Sequence, residues 1–152
     1  MLVVDYYSRF VEVVGLKTME ATEIIQALKS IFARFGIPEM LVSDNGPQYV
    51  ATQFMSFAEK YGFIHVTSLP KYPQSNGAAE RAVQTVKRLM AKSTDFHLAL
   101  LAYRSSPLDN GYSPAELLMG RKLRSTIPTL PQVLKPETPL SGAIRERVSQ
   151  TS

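Results

Sequence analysis

The chain has 152 residues, 45% of them hydrophobic, and a formal net charge of +4. That is enough for one domain with a real core, and the mild basic excess permits a polyanionic partner without requiring one. There is no cysteine, which excludes disulfides, thiol nucleophiles and cysteine-ligated zinc. The two histidines, His65 and His97, do not form a metal-ligand spacing. No apolar run reaches the length of a membrane span, and "MLVVDYYSRFVEV" lacks the basic flank and cleavage site of a signal peptide. The expectation is a soluble intracellular protein that does not engage membranes.

In chain order, "LVVDYYSRFVEVVGL" is β-branched and aromatic strand material broken near Ser8 and Arg9. It predicts two antiparallel strands joined by a tight turn. A strand so close to the first residue is expected to need a pairing partner outside this chain. "MEATEIIQALKSIFARFG" predicts a helix, with Ile24, Leu28, Ile31 and Phe35 on one buried stripe and Gly36 as its stop. "EMLVSD" predicts a short strand of the buried parallel kind ending at Asp44, and "NGPQY" a turn. "TQFMSFAEKYG" predicts a second helix with Phe54, Phe57, Ala58 and Tyr61 on one face. "FIHVTSL" predicts another strand, and "PKYPQSNG" a loop.

A basic helix follows, with Glu80 at its start. Its expected apolar stripe is Ala79, Val83, Val86 and Met90. Glu80, Gln84 and Lys87 form a neighbouring stripe, and Arg81, Arg88 and Lys92 a third. "TDFHLALLAYRSS" predicts one more helix, and "NGYSPAELLMGR" a turn and a short helix capped by Ser113 with Pro114 at its first position. After Arg124 the order signals fade. The expected division is a core over residues 1–128 and a proline-containing, unstructured tail over 129–152. Strands alternating with helices indicate an α/β domain.

Asp44 and Glu80 have 35 residues between them. One ends a strand at the sheet edge where α/β ligands gather, and the other opens a helix after a glycine-containing loop. Two carboxylates brought together there would hold a hard divalent cation through oxygen. Taken singly, Asp-Asn-Gly reads as an ordinary turn and Glu80 as an acid answering a helix dipole. Their joint placement beside basic stripes shifts the balance towards chemistry on phosphates.

"SDNGPQY", the 35-residue gap and "YPQSNGAAERAVQTVKRLM" resemble the catalytic core of retroviral and long-terminal-repeat retrotransposon integrases, with their D,D-35-E signature. "YYSRFVEV" resembles the second core strand. "LLAYRSSPLDNGYSPAELLMGRKLR" is similar to the stretch closing that core in the Ty3/gypsy branch. The resemblance covers residues 1–128. It implies a ribonuclease H-like fold, Mg²⁺ or Mn²⁺ as cofactor, DNA as partner, metal-dependent strand transfer, and a homodimer through the helices near 20–35 and 95–105. It implies Asp44 and Glu80 as catalytic and metal-binding residues. Asn76, Arg81, Lys87, Arg88 and Lys92 are implied as nucleic-acid contacts, while Gln84 stands where some relatives carry a lysine. For the basic residues, a solvated helix face is the competing reading.

The family's first Asp lies on its first core strand, which is expected to precede Met1. Asp5 follows "LVV", but that run matches the second strand, so Asp5 is expected in a local turn rather than on a metal. The resemblance therefore implies an N-terminally incomplete core with impaired catalysis: a cellular copy, a fragment or a retroelement remnant. A non-catalytic nucleic-acid-binding module and a protein-interaction module are the alternatives. Nuclear residence is implied only by a DNA substrate, with the cytoplasm as the alternative.

Overall fold

The computed structural model describes residues 1–67 and 73–135, with the backbone alone at 73–76. The described chain forms two compact units, one of residues 1–6 and 11–84, the other of residues 7–10 and 85 onward.

The first unit opens with β1 (Leu2–Val4) and β2 (Val11–Val13), paired antiparallel with Val3 opposite Glu12. The ladder runs one residue further, through Val14 N–H to the Met1 carbonyl at 2.9 Å. Helix α1 (Ala21–Phe35) follows and ends at Gly36, whose φ of 93° suits a residue without Cβ. Its buried residues are Ala21, Ile24, Ile25, Leu28, Ile31 and Phe32. The expected stripe is therefore wider than drawn, and Phe35 leaves it, being 40% exposed at the helix end.

Strand β3 (Met40–Val42) pairs parallel with β4 (Ile64–Val66), Leu41 opposite His65. This is the predicted parallel pair, but it is less buried than its apolar sequence suggested: Met40 and Ile64, opposite one another, are 45% and 62% exposed. Between the strands lie α2 (Pro47–Val50) and α3 (Thr52–Tyr61). The expected turn at "NGPQY" closes instead into one helical turn, because Pro47 supplies the φ that a first helical residue needs. Gly62 ends α3 in the left-handed conformation.

The core of this unit is aromatic. Phe32, Phe54, Phe57 and Phe63 are each at most 6% exposed. Phe57 lies 5.7 Å from Phe54 and 5.1 Å from Phe63, both edge-on, the arrangement that ring quadrupoles favour. Val3, Leu16, Leu41 and Tyr49 pack against this cluster. Among the described residues the strands form two separate two-stranded sheets.

Helix α4 (Pro73–Lys92) begins earlier than expected. Residues 73–77, read as loop, are helical, again with a proline at the first position; residues 70–72 lie outside the described residues. Glu80 is thus two turns inside the helix, and the first turn holds no acid. The buried face is Ala79, Ala82 and Val86, with Val83 and Met90 half-buried at its margin.

The second unit contains α5 (Phe96–Ser105) and α6 (Pro114–Met119). Asp95 caps α5 by accepting from Leu98 N–H. Ser113 and Glu116 form a reciprocal capping box on α6, and Gly120 closes it at φ 69°. Ala99, Leu100, Tyr103 and Ala115 are buried here. A single 3-10 turn at Pro131–Leu134 falls in the stretch expected to be irregular, and the rest of that tail, 136–152, lies outside the described residues.

Candidate metal and nucleic-acid site

The site begins where β3 and β4 end side by side. Ser43 N–H donates to the Val66 carbonyl at 3.0 Å, which carries the parallel ladder one residue past β3. Asp44 comes next, exposed at the carboxyl edge of the strand pair. Its Oδ1 accepts Gly46 N–H at 2.8 Å, so the acid closes an Asx turn that delivers the chain into Pro47 and α2.

The neighbourhood of Asp44 is half aromatic. Tyr49, on α2, has its hydroxyl pKa raised by burial and then by the negative charge of Asp44. The His65 ring lies 4.6 Å from Phe54 and 6.2 Å from Tyr49. Burial pushes its pKa below the usual 6.5, because a partly buried imidazolium loses hydration. His65 Nε2 lies 2.8 Å from Ser43 Oγ, and Ser43 Oγ is 2.9 Å from the Asp44 carbonyl oxygen.

Ser43, Tyr49 and His65 were missed at the sequence level. A histidine at the middle of a three-residue strand carries no spacing signal. The one clue was its register, since both His65 and Ser43 follow from pairing the two short strands in parallel.

Helix α4 presents the remaining residues. Glu80, Arg81, Gln84, Lys87, Arg88 and Lys92 are all exposed, as the neighbouring stripes required. The backbone of Asn76 is helical, and its side chain lies outside the described residues. Asp5 is exposed just past β1. Among the described residues no three His, Cys, Asp or Glu side chains gather as a metal-holding group. Asp44 and Glu80 each carry carboxylate oxygens, the donor type that Mg²⁺ prefers. No described helix is long and apolar enough to cross a membrane.

Residues 1–73 match the family model described as the integrase core domain. An uncharacterized protein of Caenorhabditis elegans is 38% identical over 140 residues, covering 86% of this chain and 11% of that protein. The Gag-Pol polyprotein of koala retrovirus is 34% identical over 131 residues, covering 79% and 8%. The chain therefore spans about a tenth of the length of these relatives. Among solved structures, the catalytic core domain of BIV integrase superposes with a TM-score of 0.69 at 24% identity, covering 78% of this chain and 84% of that one. The HTLV-2 integrase catalytic core domain in complex with magnesium superposes with a TM-score of 0.63 at 23% identity, covering 76% and 80%. The fold is that of integrase catalytic cores, the ribonuclease H-like α/β fold.

Proposed function

Since this chain is an integrase-core protein, matching that family's model over residues 1–73, a retroviral Gag-Pol polyprotein over 131 residues and integrase catalytic cores in fold, we propose that it serves DNA integration as part of a retroelement integrase of the Ty3/gypsy type. In this reading Asp44 and Glu80 gather Mg²⁺ or Mn²⁺, and α4 carries the nucleic acid. The observation that supports it best is local. An acid stands exposed at the carboxyl edge of a parallel strand pair, where α/β folds keep their chemistry, and its family counterpart, Glu80, is exposed on a helix lined with Arg81, Lys87, Arg88 and Lys92.

Asp44 and Glu80 offer carboxylate oxygens to the cation. When bound, the cation supplies Lewis-acid stabilisation of charge on a phosphodiester. Lys87, Arg88, Lys92 and Arg81 neutralise backbone phosphates, and Asn76 approaches the DNA near the reacting end. Two acids hold a cation less firmly than three, so the Asp44 and Glu80 pair is expected to bind metal weakly and to support strand transfer poorly. Homodimerisation through α1 and α5 belongs to the same proposal.

The deciding measurement is a Mg²⁺ and Mn²⁺ titration followed by thermal unfolding. Binding to the folded state at a hundred times Kd stabilises by about 2.7 kcal/mol. The parent should rise in Tm, while Asp44→Asn/Glu80→Gln should not. A parent that stays flat while binding DNA in a salt-sensitive way would favour a non-catalytic nucleic-acid-binding module instead.

A further inference from the structure

The contact between Ser43 and His65 joins two strands that the ladder already joins. Ser43 N–H donates to the Val66 carbonyl, so a second bond is not needed to hold β3 on β4. What the side-chain bond adds is its continuation. Ser43 Oγ lies 2.8 Å from His65 Nε2 and 2.9 Å from the carbonyl oxygen of Asp44. A hydroxyl has one hydrogen. Both contacts are satisfied when that hydrogen goes to the Asp44 carbonyl and His65 Nε2–H donates to Ser43 Oγ. Two bonds in line polarise each other in the same sense. The arrangement needs a hydrogen on His65 Nε2, which in the neutral ring is the Nε2–H tautomer. The ring is also held in place, packed against Phe54, which has no exposed surface.

We infer that His65 is a positioning residue for Asp44: the relay from His65 Nε2–H through Ser43 Oγ–H to the Asp44 carbonyl fixes the peptide from which the carboxylate hangs. Asp44 is then held at both ends. Its carbonyl is tied through Ser43 to His65 on β4, and its Oδ1 to Gly46 N–H at 2.8 Å. A carboxylate fixed in this way meets a cation without first losing rotational freedom. Removing such an outer partner typically weakens metal binding by about tenfold to a hundredfold. The relay itself stands on geometry; its bearing on metal rests on the function proposed above.

The test uses ¹⁵N-labelled protein and three variants, Ser43→Ala, Ser43→Thr and His65→Phe. Long-range nitrogen–proton correlation of the parent should report the Nε2–H tautomer at His65. The Gly46 amide should exchange several-fold faster in Ser43→Ala and His65→Phe, and at the parental rate in Ser43→Thr, which keeps the hydroxyl. Mn²⁺ titration should give a dissociation constant about tenfold higher in the first two variants and unchanged in the third. An Nδ1–H tautomer in the parent overturns the inference, whatever the variants do. So does an unchanged Gly46 exchange rate in Ser43→Ala, or Mn²⁺ binding equal in parent and all variants. A parent with no Mn²⁺ affinity, but with the expected tautomer and exchange pattern, refutes the metal role of Asp44 and Glu80 while upholding the relay.

Discussion

Ser113 is 2% exposed and engaged twice: its Oγ accepts Glu116 N–H at 3.2 Å, and its backbone N–H donates to Glu116 Oε2 at 2.8 Å. Ser113→Ala leaves the Glu116 amide unanswered, while the backbone N–H of residue 113 keeps Glu116 Oε2. It should cost about 1 kcal/mol, and up to about 2, read as a lowered denaturation midpoint at unchanged slope. Tyr103 ties its hydroxyl to the Arg9 carbonyl at 2.6 Å, where Arg9 stands at φ 61°, a conformation that costs a non-glycine residue. Arg104 lies over the Phe10 ring at 4.4 Å, so this turn is stapled twice. Tyr103→Phe should destabilise by about 1 kcal/mol, the net worth of one hydrogen bond, in the same denaturation experiment. His65 gives a pH signature. Its folded pKa lies below its ordinary 6.5, so the unfolded chain takes up the proton first as pH falls. Stability is therefore full above about pH 6.5 and declines as pH drops through that value towards the folded pKa. Midpoints measured between pH 8 and 5 should show the decline, and His65→Phe should flatten it.

Helix α4 shows how far an element can be read from sequence. Its polar and basic stripes were legible, because residues three and four apart share a face, and all six named positions are exposed. Its buried face was misdrawn by preference for large side chains. The tight contact is made by Ala79 and Ala82 with Val86, and alanine carries little signal in an apolar pattern. Its start was misread because Pro73 and Gly77 look like loop residues, although proline is well suited to a first helical position. Elements with strong caps were legible to within a residue, as at Gly36, Gly62 and Ser113. For the candidate site, the two acids are proposed from spacing and resemblance, while Ser43, Tyr49 and His65 emerge only once two three-residue strands are registered. If α4 lies along DNA, Arg81→Ala, Lys87→Ala and Arg88→Ala together should weaken binding for all sequences. The slope of log affinity against log salt should become shallower by about 0.9 for each lost phosphate contact, measured by fluorescence anisotropy.

At the scale of the whole molecule, the apolar stabilisation is concentrated in the first unit. Phe54 has no exposed surface and touches Tyr49, Phe57, Phe63 and His65. It therefore links the folding core to the residues around Asp44. Phe54→Ala should cost about 3–5 kcal/mol through lost burial and a residual cavity, a large share of the roughly 5–15 kcal/mol by which domains are stable. Calorimetry should register it as a Tm lower by about 10 °C. The same variant should blunt any metal response of Asp44, since the His65 ring would lose the surface it rests on.

The turn at Asp44 has a consequence for descent. Gly46 N–H needs an oxygen acceptor from residue 44, and the side-chain amide of asparagine offers one in the same place. Folding is therefore indifferent to whether that side chain is charged. A lineage of this sequence released from its chemistry could drift from Asp to Asn without any penalty that a folding screen would notice. An aspartate found here is kept, if it is kept, by what its charge does and not by the shape it closes.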